Sequence, residues 1–225
     1  MFFNPLTLLV FLLFLIFVFF FFILVQIDMI VVAFAQLDIP PQHIFGALFF
    51  TLVGSYINIP IKRVPQDTMV GERWIRFYGF RHMIPAWKKR ETVIAVNLGG
   101  AVIPTFLSLY LLLKTGFWAQ SIIATAIITL ASYWLAKPVR GVGIVLPFFT
   151  IPILAAFVSV IFAYNNAPVI AYISGTMGTL IGADLLNLKK ISKLGAPVAS
   201  IGGAGTFDGI FLTGILAVLL SAFLV

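Results

Sequence analysis

Apolar runs of about twenty residues recur along this chain, separated by short polar, proline-rich or glycine-rich breaks. A hydrocarbon core about 30 Å thick needs roughly 20 apolar residues per helical span. The runs at 5–27, 43–59, 92–113, 118–136, 142–163, 168–186 and 207–225 therefore predict seven transmembrane helices. The first, FLLFLIFVFFFFILV, has no basic residue ahead of it and reads as a retained span. A removed signal peptide is the alternative there, because Ala33-Phe34-Ala35 resembles a cleavage site. The expected fold class is all-α: one polytopic helix bundle over residues 1–225, with helices broken by Gly and Pro. The segment GAPVASIGGAG is small and nearly uncharged, and it predicts a re-entrant loop at 195–207. Such backbone is tolerated at membrane depth only where protein or a water-filled cavity covers it.

Composition supports the membrane reading: 62% of the residues are hydrophobic and only 9% are charged, where a soluble domain is closer to a quarter charged. The chain has no cysteine, which excludes disulfides, thiolate metal ligands and a thiol nucleophile. The net charge of +7 is distributed unevenly. With the N-terminus inside, the loops at 60–90, 137–140 and 187–194 hold thirteen of the fourteen Lys and Arg residues, and only Lys114 falls outside. The positive-inside rule then predicts a cell-membrane protein with a cytoplasmic N-terminus and an outer C-terminus. The excess charge is thereby assigned to topology, and no nucleic-acid partner is expected.

The segment 60–90 concentrates eight basic residues and interleaves them with Trp74, Phe77, Tyr78, Phe80 and Trp87. That mixture predicts a cytoplasmic loop at the headgroup interface, a topology determinant whose expected contacts are the bilayer and its anionic lipid headgroups. Gly71, Gly79 and Pro85 argue against one continuous amphipathic helix and leave a hairpin lying on the membrane equally open.

Candidate chemistry sits at the span ends. Asp184 and Asp208 are two of only seven acidic residues, and each stands where an apolar run meets a glycine-rich break. A charge in such a place is costly unless paired or hydrated, so both are functional candidates. Asn58 and Asn97 fall at the same predicted end of spans two and three. The predicted site is a cytoplasm-facing polar cavity with Asp184 and Asp208 as candidate catalytic residues, and Asn58, Asn97, Gly203, Gly205 and Thr206 as candidate ion- or substrate-binding residues. Each has a plainer alternative: Asp208 could cap a helix, Asp184 could be hydrated at its span end, and the glycines could serve close packing. Gly178 with Gly182, and Gly205 with Gly209, have GxxxG spacing, which predicts close approach of spans six and seven. His43 and His82 lie far apart and no HExxH or Walker motif occurs, so no metal and no cofactor is expected.

The motifs NLGGAVIP, GTMGTLIGADLL and SIGGAGTFDGIFLTG resemble a family of archaeal and bacterial multi-pass membrane proteins known only as a domain of unknown function. A looser resemblance of layout is to the presenilin and signal-peptide-peptidase class of intramembrane aspartyl proteases. That class places one aspartate in an inward-running sixth span and another at the cytoplasmic start of the seventh, as expected here for Asp184 and Asp208. It implies two carboxylates sharing one proton, one activating water and one polarising the scissile carbonyl. The local motifs differ: Ala183 stands where that class has tyrosine, and the second motif is two residues longer than GxGD. Three functions remain open from the sequence. They are an aspartyl-type peptidase or hydrolase acting on a membrane-protein substrate, a cation- or proton-coupled transporter or channel for an ion or small solute, and a non-catalytic scaffold or lipid-binding protein.

Overall fold

The computed structural model describes residues 28, 31–77, 80–139, 143–191, 198–203 and 209–225, of which 66–77 and 80–90 are described by their backbone. The predicted first span and residues 192–197 and 204–208 lie outside them. The described chain is mostly helical but includes two small sheets.

After a helical turn ending at Gln36, helix α1 (Pro41–Ser55) starts on a proline in its first turn, where the missing N–H is no loss. A hairpin follows, with β1 (Asn58–Phe77) antiparallel to β2 (Phe80–Asn97). A π-helical turn, Leu98–Val102, leads into α2 (Ile103–Thr115), which ends at Gly116 with φ 72°. Helix α3 (Trp118–Leu135), a two-stranded ribbon of β3 (Lys137–Val139) and β4 (Gly143–Val145), and α4 (Thr150–Phe162) come next. Helix α5 (Ala167–Thr179) runs into a second π turn, Leu180–Leu185, and the short α6 (Leu188–Ile191). Strand β5 (Val198–Ile201) and helix α7 (Gly209–Leu224) complete the order.

Among the described residues, three helical runs are long and apolar enough to cross a membrane: Leu98–Thr115, Trp118–Leu135 and Tyr164–Lys190. The helices Thr150–Phe162 and Gly209–Leu224 are apolar but shorter. Thirteen residues rise only about 20 Å in an α-helix, well short of the hydrocarbon thickness. The seven-span expectation is thus met in three places. It overreaches where an apolar run is not all helix. Residues 92–97 of the predicted third span are strand, and 143–145 of the predicted fifth belong to β4. Hydropathy weights Thr92-Val93-Ile94-Ala95-Val96 as membrane, while β-branched residues in succession favour a strand.

Helix α5 is the axis of the molecule. Every residue of it except Met177 is buried, as befits a helix apolar on all sides. One cluster joins its Val169, Tyr172 and Ile173 to Leu111 of α2, to Phe211, Ile215 and Val218 of α7, and to Ala33–Ile39. A second joins Ile170 and Ala171 to Ala124 and Ile128 of α3, Ile151 and Ala155 of α4, and Ala217 of α7. A third lies under the sheet, where Ala101, Leu180, Ile201 and Ile210 meet Ile94 and Val96.

The small residues do not pack as their spacing suggests. A Cβ on Gly178 would lie 2.6 Å from the Ile128 side chain, and one on Gly182 would overlap the Thr129 carbonyl oxygen. That GxxxG pair therefore seats α5 against α3, not against α7. Close approach of α5 and α7 comes instead from Gly214, whose Cβ would lie 2.5 Å from Thr176 Oγ1. Gly209 has open space around it, and Gly205 lies outside the described residues.

The sheet has the order β1-β2-β5, with β5 parallel to β2 from Val93↔Val198 to Val96↔Ile201. Residues 198–201 of the predicted re-entrant loop are thus a strand, with Ala199, Ile201 and Gly202 buried. Residues 60–90 lie within the β1–β2 hairpin, whose strands have 20 and 18 residues.

Candidate functional site

Two π turns and the base of the sheet converge at one end of the bundle. A π turn bonds i to i+5 and so carries one residue more than an α turn, an arrangement common at functional sites. One such turn follows Asn97 and the other contains Asp184.

Asn97 is 1% exposed and uses its amide in three directions. Its Oδ1 accepts from Gly100 N–H at 2.7 Å, which caps the π turn. Its Nδ2 donates to the Ser55 carbonyl at 2.6 Å, near the orphaned C-terminal carbonyls of α1, and to Asn58 Oδ1 at 3.1 Å. Asn58 and Asn97 are register partners at the base of the hairpin. The Ser200 hydroxyl of β5 donates to the same Asn58 Oδ1 at 2.5 Å. One side-chain oxygen on β1 is therefore shared by groups from β2 and β5, and all three strands are tied at their base.

The backbones here are in close contact. Gly99 lies so near α1 that a Cβ would overlap Thr51 O and Ser55 N, and Leu98 N–H donates to Ile57 O at 2.9 Å. Gly202 has φ 83° and presses on Ala101, where a Cβ would come within 2.6 Å. Both the left-handed backbone and the lack of space require glycine there.

Asp184 meets the sheet at this point. Its Oδ2 accepts from Gly202 N–H at 2.8 Å, so the π turn of the central helix is bonded to the residue after β5. The carboxylate is half-buried, as is Gly203 beside Gly202. Gly203 also has a positive φ, 84°. Behind Asp184, Asn187 is fully buried and donates from Nδ2 to Gly182 O at 3.0 Å.

Of the residues expected from sequence, Asn58 and Asn97 are joined directly. Asp184 is linked to them through the Gly202–Ser200 backbone. Asp208, Gly205 and Thr206 lie outside the described residues. Sequence reasoning missed Ser200, Asn187 and the Gly202 N–H. Ser200 sits in a stretch read as loop, and the four-residue alternation of Val198–Ile201 was its one signal. Asn187 lies one residue beyond the last predicted residue of span six and so was counted as loop.

No curated protein and no solved structure matches this chain. The family model described as protein of unknown function (DUF1614) matches residues 52–220, most of the chain and all of this junction, and the protein belongs to that family.

Proposed function

We propose that this is a multi-pass membrane hydrolase of the aspartyl type, with Asp184 and Asp208 as its two carboxylates. The observation that carries the reading is the hydrogen bond from Gly202 N–H to Asp184 Oδ2. It ties the intramembrane carboxylate to the glycine-rich segment that reaches Asp208 six residues later. A bond from a backbone amide fixes the orientation of the carboxylate, as a general base requires. In the reaction the ionised carboxylate takes a proton from water, whose oxygen attacks the scissile carbonyl. The protonated partner donates to the carbonyl oxygen; as the tetrahedral species collapses, the first carboxyl passes the proton taken from water to the departing nitrogen and the second recovers its proton from the hydroxyl. Ile210, two residues after Asp208, packs with Leu180 in the π turn of Asp184, which supports a common depth for the two acids.

The cation-transport reading draws on Asn58 and Asn97 as ligands. Both amide oxygens accept from protein donors, and Asn97 is almost fully buried, which weighs against it. In the orientation we propose, the N-terminus, the sheet and the junction face the cytoplasm, and the cations of 60–90 meet anionic headgroups. The substrate is then a peptide bond of a membrane-embedded or membrane-proximal chain.

The absence of native cysteine permits a direct test. A disulfide requires Cα atoms within about 7 Å. The double variant Asp184→Cys/Asp208→Cys is expected to cross-link under mild oxidation in proteoliposomes. Val93→Cys/Val198→Cys, paired strand neighbours, serves as the control for an intact fold. Cross-linking of the control without the aspartate pair overturns the dyad.

A further inference from the structure

A second group of polar side chains lies away from this junction. The hydroxyls of Ser108, Tyr172, Thr176 and Thr179 are each buried to 2% exposure or less; those of Ser108 and Thr179 make no hydrogen bond among the described residues, and those of Tyr172 and Thr176 have only each other. Buried polar atoms are nearly always fully paired, so several with so few partners call for an explanation. Tyr172, Thr176 and Thr179 are spaced four and three residues apart and so share one face of α5. Thr176 is the polar neighbour of the Tyr172 phenol, and both face Gly214 of α7.

Leu111 of α2 shares an apolar cluster with Tyr172, and Ala101, in the turn before α2, shares another with Leu180. By that order along the two segments, Ser108 falls at the level of the middle of α5. Thr176 stands near the middle of the 27-residue run Tyr164–Lys190, at the depth where a bilayer offers no hydrogen bonds. Below it, Thr179 is the last residue of α5 before the π turn. In an unbroken α-helix the column would continue to Ala183. The extra residue of the π turn advances it toward Asp184.

We propose that Ser108, Tyr172, Thr176 and Thr179 form an internal hydration site at mid-membrane depth, from which water reaches Asp184 along the face of α5. Neutral hydroxyls, each able to donate and to accept, suit water. They do not suit a bare cation, which would carry an uncompensated charge into an apolar interior. Hydration of the site stands on these four side chains alone. Its purpose, supplying the water consumed at Asp184, rests on the hydrolase reading.

The test uses single cysteines in the otherwise cysteine-free chain, reconstituted in proteoliposomes and treated with Ag+. After denaturation, the remaining free thiols are counted with a maleimide of high mass. Ag+ is small enough to follow single-file water, and it reacts with a thiol that water can help ionise. Ser108→Cys and Thr176→Cys change volume little, and Leu109→Cys, one residue on and facing outward, is the control at matched depth. Both buried thiols are expected to be consumed about tenfold or more faster than the control, because reactivity follows access and ionisation. If Ser108→Cys and Thr176→Cys are as inert as Leu109→Cys, the layer is dry and the proposal fails. That outcome leaves the cross-link between positions 184 and 208 untouched, and failure of the cross-link leaves the Ag+ result untouched.

Discussion

Polar side chains are buried in two regions of this protein under opposite conditions. At the base of the sheet they are paired: Asn97 makes three hydrogen bonds, and Asn58 Oδ1 accepts two. Along the helix interfaces, Ser108, Ser121, Ser132 and Thr179 are as deeply buried and make none among the described residues. The first region spends its polar atoms on holding strands to helix ends. Its burial is therefore a structural statement about every residue except the half-buried Asp184. The second region leaves its polar atoms for something other than protein. A buried polar residue in an apolar chain thus marks a function only after its partners have been counted.

The comparison breaks most readily at Asn97. Asn97→Ala removes three bonds and leaves the Ser55 carbonyl and the Gly100 N–H buried without partners. Each such group costs about 1–3 kcal/mol, so a loss of about 3 kcal/mol is expected. Thermal unfolding in detergent measures it. A loss below about 1 kcal/mol would mean that Asn97 is not the clamp described here.

Close packing gives the next largest effect. Gly182→Ala drives a methyl into the Thr129 carbonyl of α3, at backbone that cannot rotate away. Overpacking of this kind costs about 1–3 kcal/mol. Gly209→Ala, in open space, is expected to change little. Equal effects at the two glycines would return the GxxxG spacing to a generic role.

These contrasts show what was legible in the sequence. The apolar character and the helix Trp118–Leu135 follow from pattern, and Asn58, Asn97 and Asp184 stand out because an isolated polar residue in an apolar run is conspicuous. The strand at 92–97 and the parallel pairing of β5 do not. Hydropathy has no period at a fully apolar run, and a parallel partner a hundred residues away leaves no local trace. The facing of Gly178 and Gly182 was illegible for a related reason: GxxxG announces close approach without naming the neighbour. The π turn at Asp184 also escaped, since one extra residue per turn leaves composition unchanged.

A smaller effect of opposite sign separates the two regions further. Ser200→Ala removes the donor to Asn58 Oδ1 and is expected to cost about 1 kcal/mol, the net worth of an ordinary hydrogen bond. Ser121→Ala removes a fully buried hydroxyl with no partner. It is expected to be neutral or to stabilise by up to about 1 kcal/mol, because no bond is lost and a desolvated group is relieved. The two midpoints should therefore move apart from wild type in opposite directions. Destabilisation by both would show that Ser121 is bonded in the membrane.

The smallest expected effect lies at the far end of the bundle, where Lys114 Nζ donates to Asp38 Oδ2 and to the Asp38 carbonyl, both at 2.7 Å. Here the polar groups are paired yet exposed, the reverse of the helix interior. The hydrogen bond from Lys114, followed by its positive charge, holds the Asp38 carboxyl below its ordinary value. A depressed carboxylate stabilises the fold at pH above its unfolded value, about 4. That contribution is lost as the pH falls through the lower folded value. Asp38→Asn should therefore lie slightly below wild type in unfolding midpoint from neutral pH down to about 5, with the two curves converging in stronger acid. Asparagine tolerates the left-handed backbone at this position, where φ is 54°, so the substitution reports on charge and not on strain. Solvent screens an exposed pair, and added salt should shrink the gap further. A gap that widens in acid would show that Asp38 is stabilised by something other than Lys114.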